Sequence, residues 1–131
     1  MILLDTHVLV WLAADPGRLS RKAAAAVRRA LASGGIAVAS LSLWELAMLF
    51  ARGRLLGPGS VETSIRAMLD GTGVAIREIT PDVAGLATQF PPEFPADPAD
   101  RLIAATARAE GLALVTSDER IRASPLLKTI W

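Results

Sequence analysis

Four acidic residues in this sequence stand where a carboxylate is expected to lose contact with water. Asp5 separates two apolar segments in MILLDTHVLVWLA, and Glu45 lies among the apolar residues of SLSLWELAML. Asp100 directly precedes the largely apolar segment RLIAATA, and Asp118 closely follows the apolar segment LALVT. A carboxylate that is taken out of water needs a compensating partner. The nature of that partner therefore decides which chemistry these residues can perform.

Taken singly, each of these acids also has a purely structural interpretation. Asp5 could cap a helix that begins near residue 6, and Asp118 could cap a turn. Glu45 could form a capping box with Ser42. Asp100 could lie in the first turn of a helix, where a negative charge favours the helix dipole. Two of the acids, however, share their helical faces with apolar residues, which favours a functional role for Glu45 and Asp100.

Taken together, the four acids predict a metal site. Clustered carboxylates repel one another, and each would take up a proton unless a cation offset the charge. The chain has no cysteine and a single histidine, so the ligands would be oxygen atoms. Such ligands select Mg²⁺ or Mn²⁺. An ion of this kind polarises an attacking water and accepts phosphate oxygens, so the acids indicate phosphodiester hydrolysis.

The elements that must position these acids are predicted from apolar periodicity, helix caps and turn residues. Continuous apolar runs predict five strands, over residues 2–5, 36–40, 74–79, 112–116 and 126–131. The helical patterns and caps predict helices over residues 7–14, 21–33, 42–52, 61–69 and 100–110, a short helix from Thr80-Pro81, and a helical turn in SDERIRA. The proline-rich segment FPPEFPADP is predicted to be an irregular connection.

Strands that alternate with helices and read as continuous apolar runs indicate a parallel sheet covered on both faces. We predict one α/β domain over residues 1–131, a three-layer α/β/α sandwich with a central parallel sheet of four to five strands. Sites in such sheets form at the carboxyl ends of the strands. All four acids are predicted to reach that edge, either directly after a strand or from the first turns of a neighbouring helix.

Composition narrows the classes of protein that need to be considered. The chain has a formal net charge of +1, so no global field attracts it to nucleic acid. No apolar run reaches the roughly 18 residues of a membrane span, and the start lacks the basic region of a secretory signal. We therefore expect a cytoplasmic protein without a membrane partner.

Three segments of the chain together resemble the PIN-domain family, and specifically the VapC-type toxins of bacterial toxin–antitoxin pairs. They are LLDTHVLVWL, SLSLWELAML and DPADRLIAATARAEGLALVTSD, and they cover nearly the whole chain in the right order. The resemblance implies a PIN-like fold and a metal-dependent ribonuclease whose acids are Asp5, Glu45, Asp100 and Asp118. The reaction it implies leaves a 5′-phosphate and a 3′-hydroxyl.

Several neighbours of the acids are candidates for supporting roles. The resemblance assigns Thr6 to supporting Asp5 or a ligand water. Asp97, which precedes a proline, is expected to cap a helix or to support the site. Ser117 is a further candidate for support or for capping a turn. For His7, the only histidine, packing or a hydrogen bond near the site is favoured over a role as general base.

Two arginines adjoin the acids in sequence and could contact backbone phosphates of RNA. They are Arg101 and Arg120. The alternative is that they form surface ion pairs with Asp97 and Glu119.

The predicted helices over 42–52 and 60–69, with the segment that joins them, carry more apolar residues than a solvated hairpin needs. Ordinary core packing is the alternative and must account for most of them. These residues are Leu46, Met48, Leu49, Phe50, Leu55 and Leu56, with Trp11 and Trp44 in addition. The resemblance implies that the helical pair borders a groove for a cognate antitoxin and that the toxin forms a homodimer. An antitoxin could also send an arginine toward the acids.

Two other classes remain open at the level of the sequence: phosphotransfer folds with an acid pocket, of which two kinds are considered, and a non-catalytic binding module. A haloacid-dehalogenase-like phosphatase needs a second aspartate two residues after its nucleophile, where this chain has His7. A response-regulator receiver needs an acid pair and a late lysine, whereas Lys128 lies in the final segment. A non-catalytic α/β binding module, whose acids only cap helices, would have no affinity for a metal.

Overall fold

Five parallel strands form the centre of the structure, a computed structural model that describes residues 1–131. The strands are β1 (Ile2–Leu4), β2 (Ile36–Ala39), β3 (Ala75–Arg77), β4 (Leu114–Val115) and β5 (Thr129–Ile130). Their order in the sheet is β3-β2-β1-β4-β5, and every neighbouring pair is parallel. The prediction of a parallel sheet is therefore confirmed.

Seven α-helices flank the sheet. They are α1 (Thr6–Ala14), α2 (Arg21–Ser33), α3 (Leu41–Ala51), α4 (Val61–Thr72), α5 (Pro81–Ala87), α6 (Pro98–Glu110) and α7 (Glu119–Arg122), with a 3₁₀ turn over Pro16–Arg18. None of them combines the length and the apolar character that crossing a membrane requires.

Alternate residues of the strands supply two separate cores, one on each face of the sheet. Leu3 and Leu114 belong to a core that includes residues of α5 and α6, such as Val83. Leu4 and Val115 belong to a second core, which includes residues of α1, α2 and α3. Because successive strand residues point to opposite faces, two buried faces produce the continuous apolar runs seen in the sequence. The three-layer sandwich is thereby confirmed.

Side-chain caps begin four of the helices where the sequence predicted them. Ser20 accepts a hydrogen bond from Ala23 N at 3.0 Å, and Ser60 accepts one from Thr63 N at 3.1 Å. Thr80 and Asp97 likewise cap α5 and α6. Each cap satisfies a backbone N–H that has no partner within its helix.

The predicted capping box at the start of α3 is wrong. The helix begins at Leu41 and its N-cap residue is Ser40, so Ser42 lies inside the first turn. The side chains of Ser42 and Glu45 form hydrogen bonds with Thr6 instead. A contact across the fold, rather than a local cap, therefore places Glu45.

Candidate active site

The four predicted acids line one cleft at the carboxyl edge of the sheet. Asp5 directly follows β1, and Asp118 lies in the segment after β4, which is the neighbour of β1. The helices α3 and α6 bring Glu45 and Asp100 to the same place. The cleft has a volume of about 260 Å³ and is also lined by Thr6, His7, Met48, Leu49 and Arg52. The expected juxtaposition of the acids is therefore present.

Asp5 is held in place by hydrogen bonds to both of its carboxylate oxygens. Its Oδ1 accepts from Thr6 N at 2.9 Å, which caps α1, and its Oδ2 accepts from the Thr116 hydroxyl at 2.8 Å. The residue is only 5% exposed. Capping and a place in the cleft, which the sequence offered as alternatives, are thus both features of Asp5.

Thr116 links two of the acids, and sequence reasoning did not single it out. Its fully buried hydroxyl donates to Asp5 and accepts from Asp118 N at 3.1 Å. It follows β4 directly, just as Asp5 follows β1. A polar residue at the end of an apolar strand was the available signal.

Replacing Thr116 with valine should therefore weaken both the fold and the site. The loss of two buried hydrogen bonds is expected to lower the free energy of unfolding by about 1–3 kcal/mol. Misplacing the two linked acids should lower the rate of RNA cleavage, the activity that the resemblance implies, by about 10- to 100-fold. Denaturant unfolding and the initial cleavage rate measure the two effects.

Thr106→Val is the matched control for this substitution. Thr106 is also buried, but its hydroxyl donates only to Leu102 O within α6 at 2.8 Å. Because that bond is local to the helix, the control should change stability by less than about 1 kcal/mol. Equal effects of the two substitutions would show that Thr116 does not position the acids.

Glu45 is held by Thr6, whose hydroxyl lies 2.5 Å from Glu45 Oε1 and 2.8 Å from Ser42 Oγ. A carboxylate only accepts hydrogen bonds, so the Thr6 hydroxyl donates its proton to Glu45. Burial raises the pKa of Glu45; the Thr6 hydrogen bond opposes this change, and the charges of Asp5 and Asp97 add to it. The expected supporting role of Thr6 thus has a structural basis, directed at Glu45 through its hydroxyl and at Asp5 through its backbone N–H.

Among the four acids, Asp100 has the pKa that is most affected by burial and by the charges of the other acids. Burial, followed by the negative charges of Asp97, Asp5, Asp118 and Glu45, raises its pKa to about 7. A cation in the cleft would relieve this repulsion.

The donor chemistry of the cleft also fits a hard divalent cation, because all four acids offer carboxylate oxygens. No group of three or more His, Asp or Glu side chains is already arranged as a metal-binding set in this structure. The acids therefore line the cleft without forming a complete coordination shell, and their roles as ligands stay a prediction.

His7 and Ser117 form a contact beside the acids. His7 Nε2 accepts from Ser117 N at 3.2 Å and lies 2.9 Å from Ser117 Oγ, while Nδ1 lies 3.6 Å from Asp5 Oδ2. The backbone donor requires Nε2 to be the unprotonated nitrogen, so the Nδ1 proton faces Asp5. The expected hydrogen-bonding role of His7 is observed, and the supporting role of Ser117 stays a prediction.

Asp97 serves as the N-cap of α6, where it accepts from Ala99 N at 2.8 Å. The capping role that the sequence favoured is confirmed. Asp118 caps α7 in the same way and also lines the cleft.

The alternative role of Arg101, an ion pair with Asp97, is wrong, while its contact with RNA phosphates stays a prediction. The Arg101 guanidinium donates to the carbonyl groups of Pro95 at 2.8 Å and Phe90 at 3.2 Å, and to two further carbonyls of the same loop. The prolines of this loop leave it with few backbone N–H donors, so the arginine side chain supplies hydrogen bonds to its carbonyls. Arg120 is exposed and forms no ion pair with Glu119; its contact with RNA stays a prediction.

The apolar residues near α3 and α4 divide between core, cleft and groove. Leu46 is fully buried, Leu55 packs against the core, and Met48 and Leu49 line the acid cleft. A separate groove of about 460 Å³ is lined by residues of α1, α2, α3 and α4 and the connecting segment, including Leu12, Leu31, Phe50, Leu56 and Met68. Of the residues predicted to border a groove, only Phe50 and Leu56 line it.

The two tryptophans added to that prediction lie elsewhere. Trp11 packs against His7 and Trp131 and under the guanidinium of Arg18. Trp44 is 62% exposed.

A family model described as "PIN domain" matches residues 2–125 of the sequence. The chain belongs to the PIN-domain family. It is also 40% identical over 134 residues to Ribonuclease VapC22 of Mycobacterium tuberculosis, covering 99% of this chain and 98% of the relative. The resemblance to VapC-type PIN domains is therefore confirmed, and VapC-type PIN ribonucleases generally depend on a divalent metal.

Solved structures of PIN-domain proteins share the fold. VapBC2 from Rickettsia felis, bound to a DNA fragment from its promoter, has a TM-score of 0.73 at 20% identity, over 98% of this chain and 97% of that chain. DNA-bound VapBC from Salmonella typhimurium has a TM-score of 0.70 at 20% identity, with the same coverage of both chains. At these identities the likeness establishes the fold alone.

Proposed function

We propose that this PIN-domain chain is a divalent-metal-dependent endoribonuclease and the toxin of a toxin–antitoxin pair, with one nuclease domain over residues 1–131. The observation that carries the proposal is the cleft around which Asp5, Glu45, Asp100 and Asp118 are gathered. The identity of 40% with Ribonuclease VapC22 supports RNA as the substrate.

The four acids would hold one or two Mg²⁺ or Mn²⁺ ions, directly or through water. Such an ion supplies Lewis acidity, which activates a water and neutralises charge on the phosphate. Water adds to phosphorus and the bond to the 3′ oxygen breaks, so the products carry a 5′-phosphate and a 3′-hydroxyl. The chain's own part is to fix the acids: Thr6 and Thr116 hold Asp5, and Thr6 also holds Glu45.

His7 is not needed as a general base in this mechanism. Its Nε2 already accepts the backbone N–H of Ser117, and its other nitrogen faces Asp5. The ring instead keeps the segment that carries Asp118 close to α1, so we assign it a positioning role.

The non-catalytic binding module explains part of the site only. Asp97 and Asp118 do cap helices, as that alternative requires. Glu45 and Asp100 cap nothing, although burial raises the pKa of both. Two half-buried acids without a capping role favour the nuclease.

The test is RNA cleavage that depends on a divalent cation. The purified protein should cut a pool of randomised single-stranded RNA with Mg²⁺ or Mn²⁺, fail to cut it with EDTA, and recover when excess Mn²⁺ is added. Hydrolysis of a small phosphoester without RNA cleavage would favour the phosphatase. Absence of thermal stabilisation by millimolar Mn²⁺ would favour the binding module.

We further propose that the cognate antitoxin binds in the groove beside α4. The groove exposes apolar side chains, and Leu56 at its edge is 94% exposed. Exposed apolar patches of this kind mark interaction sites. An apolar antitoxin segment would cover these residues, and an arginine of the antitoxin reaching the acids would compete with the metal.

Leu56→Asp should weaken the complex with the protein encoded by the upstream neighbouring gene by at least about tenfold, because a charge would replace an apolar contact. Leu126→Asp is the control, since Leu126 is 37% exposed and lies outside the groove. Titration of the inhibition of RNA cleavage measures both variants. Equal inhibition of Leu56→Asp and the wild type would place the antitoxin elsewhere.

A homodimer in the cytoplasm completes the proposal. Trp44 is a large aromatic side chain exposed on α3, and its burial in a dimer would be favourable. Sedimentation equilibrium should give twice the mass of the chain, and a monomer at micromolar concentration would exclude the dimer. Cell fractionation tests the location.

A further inference from the structure

We propose that Arg52 binds a phosphate group of the substrate at the mouth of the acid cleft. Arg52 is the only lysine or arginine among the residues that line the cleft, and sequence reasoning did not identify it. The inference rests on the proposed function, because it requires a phosphodiester chain in the cleft.

The geometry of α3 places Arg52 at the edge of the site. Glu45, Met48, Leu49 and Arg52 are spaced by three, four and seven residues, and this spacing puts them on one face of the helix. Arg52 is the C-cap residue, about 10 Å along the helix axis from Glu45 at 1.5 Å per residue. Glu45 is half-buried and Arg52 is exposed. The helix thus carries a carboxylate in the cleft and a cation at its mouth.

The guanidinium of Arg52 is not used by the protein. It forms no ion pair with any of the four acids, and its side chain makes no hydrogen bond. Arg101, in contrast, is bound to loop carbonyls, and Arg77 pairs with Glu110 at 2.8 Å. Arg52 therefore keeps its donors available for a ligand.

A phosphate is the ligand that this arrangement favours. The fork of an arginine matches two phosphate oxygens, and such charge-assisted hydrogen bonds are among the strong ones. A polyanion that approaches the acids meets repulsion, and the net charge of +1 offers no general attraction. A cation at the mouth of the cleft supplies this attraction locally.

The experiment compares the cleavage kinetics of Arg52→Gln and Arg52→Lys with those of Arg54→Gln. Arg54 is exposed in the same segment and does not line the cleft, so its substitution changes the net charge equally. Arg52→Gln should raise KM for the randomised RNA pool about tenfold and reduce the slope of log KM against log salt by about one. Arg52→Lys should recover part of the loss, and Arg54→Gln should stay within about twofold of the wild type.

Thermal stabilisation by Mn²⁺ separates phosphate binding from a merely structural role. If Arg52 acted by neutralising the acids, its removal would change the Mn²⁺ concentration that gives half of the maximal stabilisation. We expect no such change in any variant. A shifted Mn²⁺ midpoint, or equal KM values for Arg52→Gln and Arg54→Gln, would overturn the inference while the wild type still cleaves RNA. A wild type that does not cleave RNA would overturn the proposed function itself.

Discussion

Asp5→Asn should lower kcat for RNA cleavage by about a thousandfold while the protein stays folded. Removing a metal-ligating charge costs several kcal/mol of transition-state stabilisation, and each 1.36 kcal/mol is a factor of ten in rate. The fold should persist because an asparagine Oδ1 still accepts from Thr6 N. The asparagine amide can donate to the Thr116 hydroxyl, which donates to the aspartate in the wild type. Cleavage of labelled RNA and circular dichroism measure the two properties.

Asp15→Asn provides the control with the same change of charge. Asp15 is exposed at the end of α1, and its side chain makes no capping hydrogen bond. The rate of RNA cleavage by Asp15→Asn should remain within about twofold of the wild type, because a distant exposed charge is screened by salt. A wild-type rate in Asp5→Asn would end the assignment of Asp5 as a metal ligand.

The elements of this fold could be predicted from sequence because their signals are local. Ser20, Ser60 and Thr80 each cap a helix through a backbone N–H three residues ahead, so a short window contains both partners. The strands are shorter than their apolar runs. The run over 112–116, for example, contributes only Leu114–Val115 to the sheet, while Leu112 packs against the core. Apolar residues indicate burial, and burial does not require strand pairing.

The interior of the site could be predicted only in part, because its contacts join distant parts of the chain. The hydrogen bond between Thr6 and Glu45 joins residues 39 positions apart in the sequence, and the one between Thr116 and Asp5 joins residues 111 positions apart. Both contacts depend on β1 lying between β2 and β4, and apolar periodicity does not encode this order. The capping box was therefore a reasonable local prediction that a contact across the fold displaced. The observed partners of Arg101 were not predicted for a similar reason, since they are carbonyls of a proline-rich loop rather than Asp97.

The metal-free protein should lose stability as the pH rises from about 4 to about 7, and Asp100→Asn should remove much of this loss. The pKa of Asp100 is raised from 3.8 to about 7, so the folded state holds a proton over this range that the unfolded state has released. The stabilisation is complete below the unfolded-state pKa of 3.8 and disappears above the folded-state pKa of about 7. Allowing for solvent screening of a half-exposed group, it amounts to about 1–2 kcal/mol. Thermal unfolding of both proteins in EDTA at about pH 5.5 and pH 8 should show a difference of several degrees.

Addition of Mn²⁺ should make the wild type more stable than Asp100→Asn at about pH 8, which is the opposite of their order in EDTA. A cation competes with the proton for the same carboxylate, so it should stabilise the wild type more at about pH 8 than at about pH 5.5. Asp100→Asn should gain much less from Mn²⁺ at either pH, whereas Asp15→Asn should behave like the wild type in both solutions. If Asp100→Asn kept the wild-type dependence of stability on pH and the full stabilisation by Mn²⁺, then Asp100 would neither cause the loss of stability at high pH nor ligate the metal. Repulsion among the carboxylates destabilises the metal-free protein, and a divalent cation that binds between them relieves this repulsion. The stability of the fold is thereby coupled to the metal binding that the proposed chemistry requires.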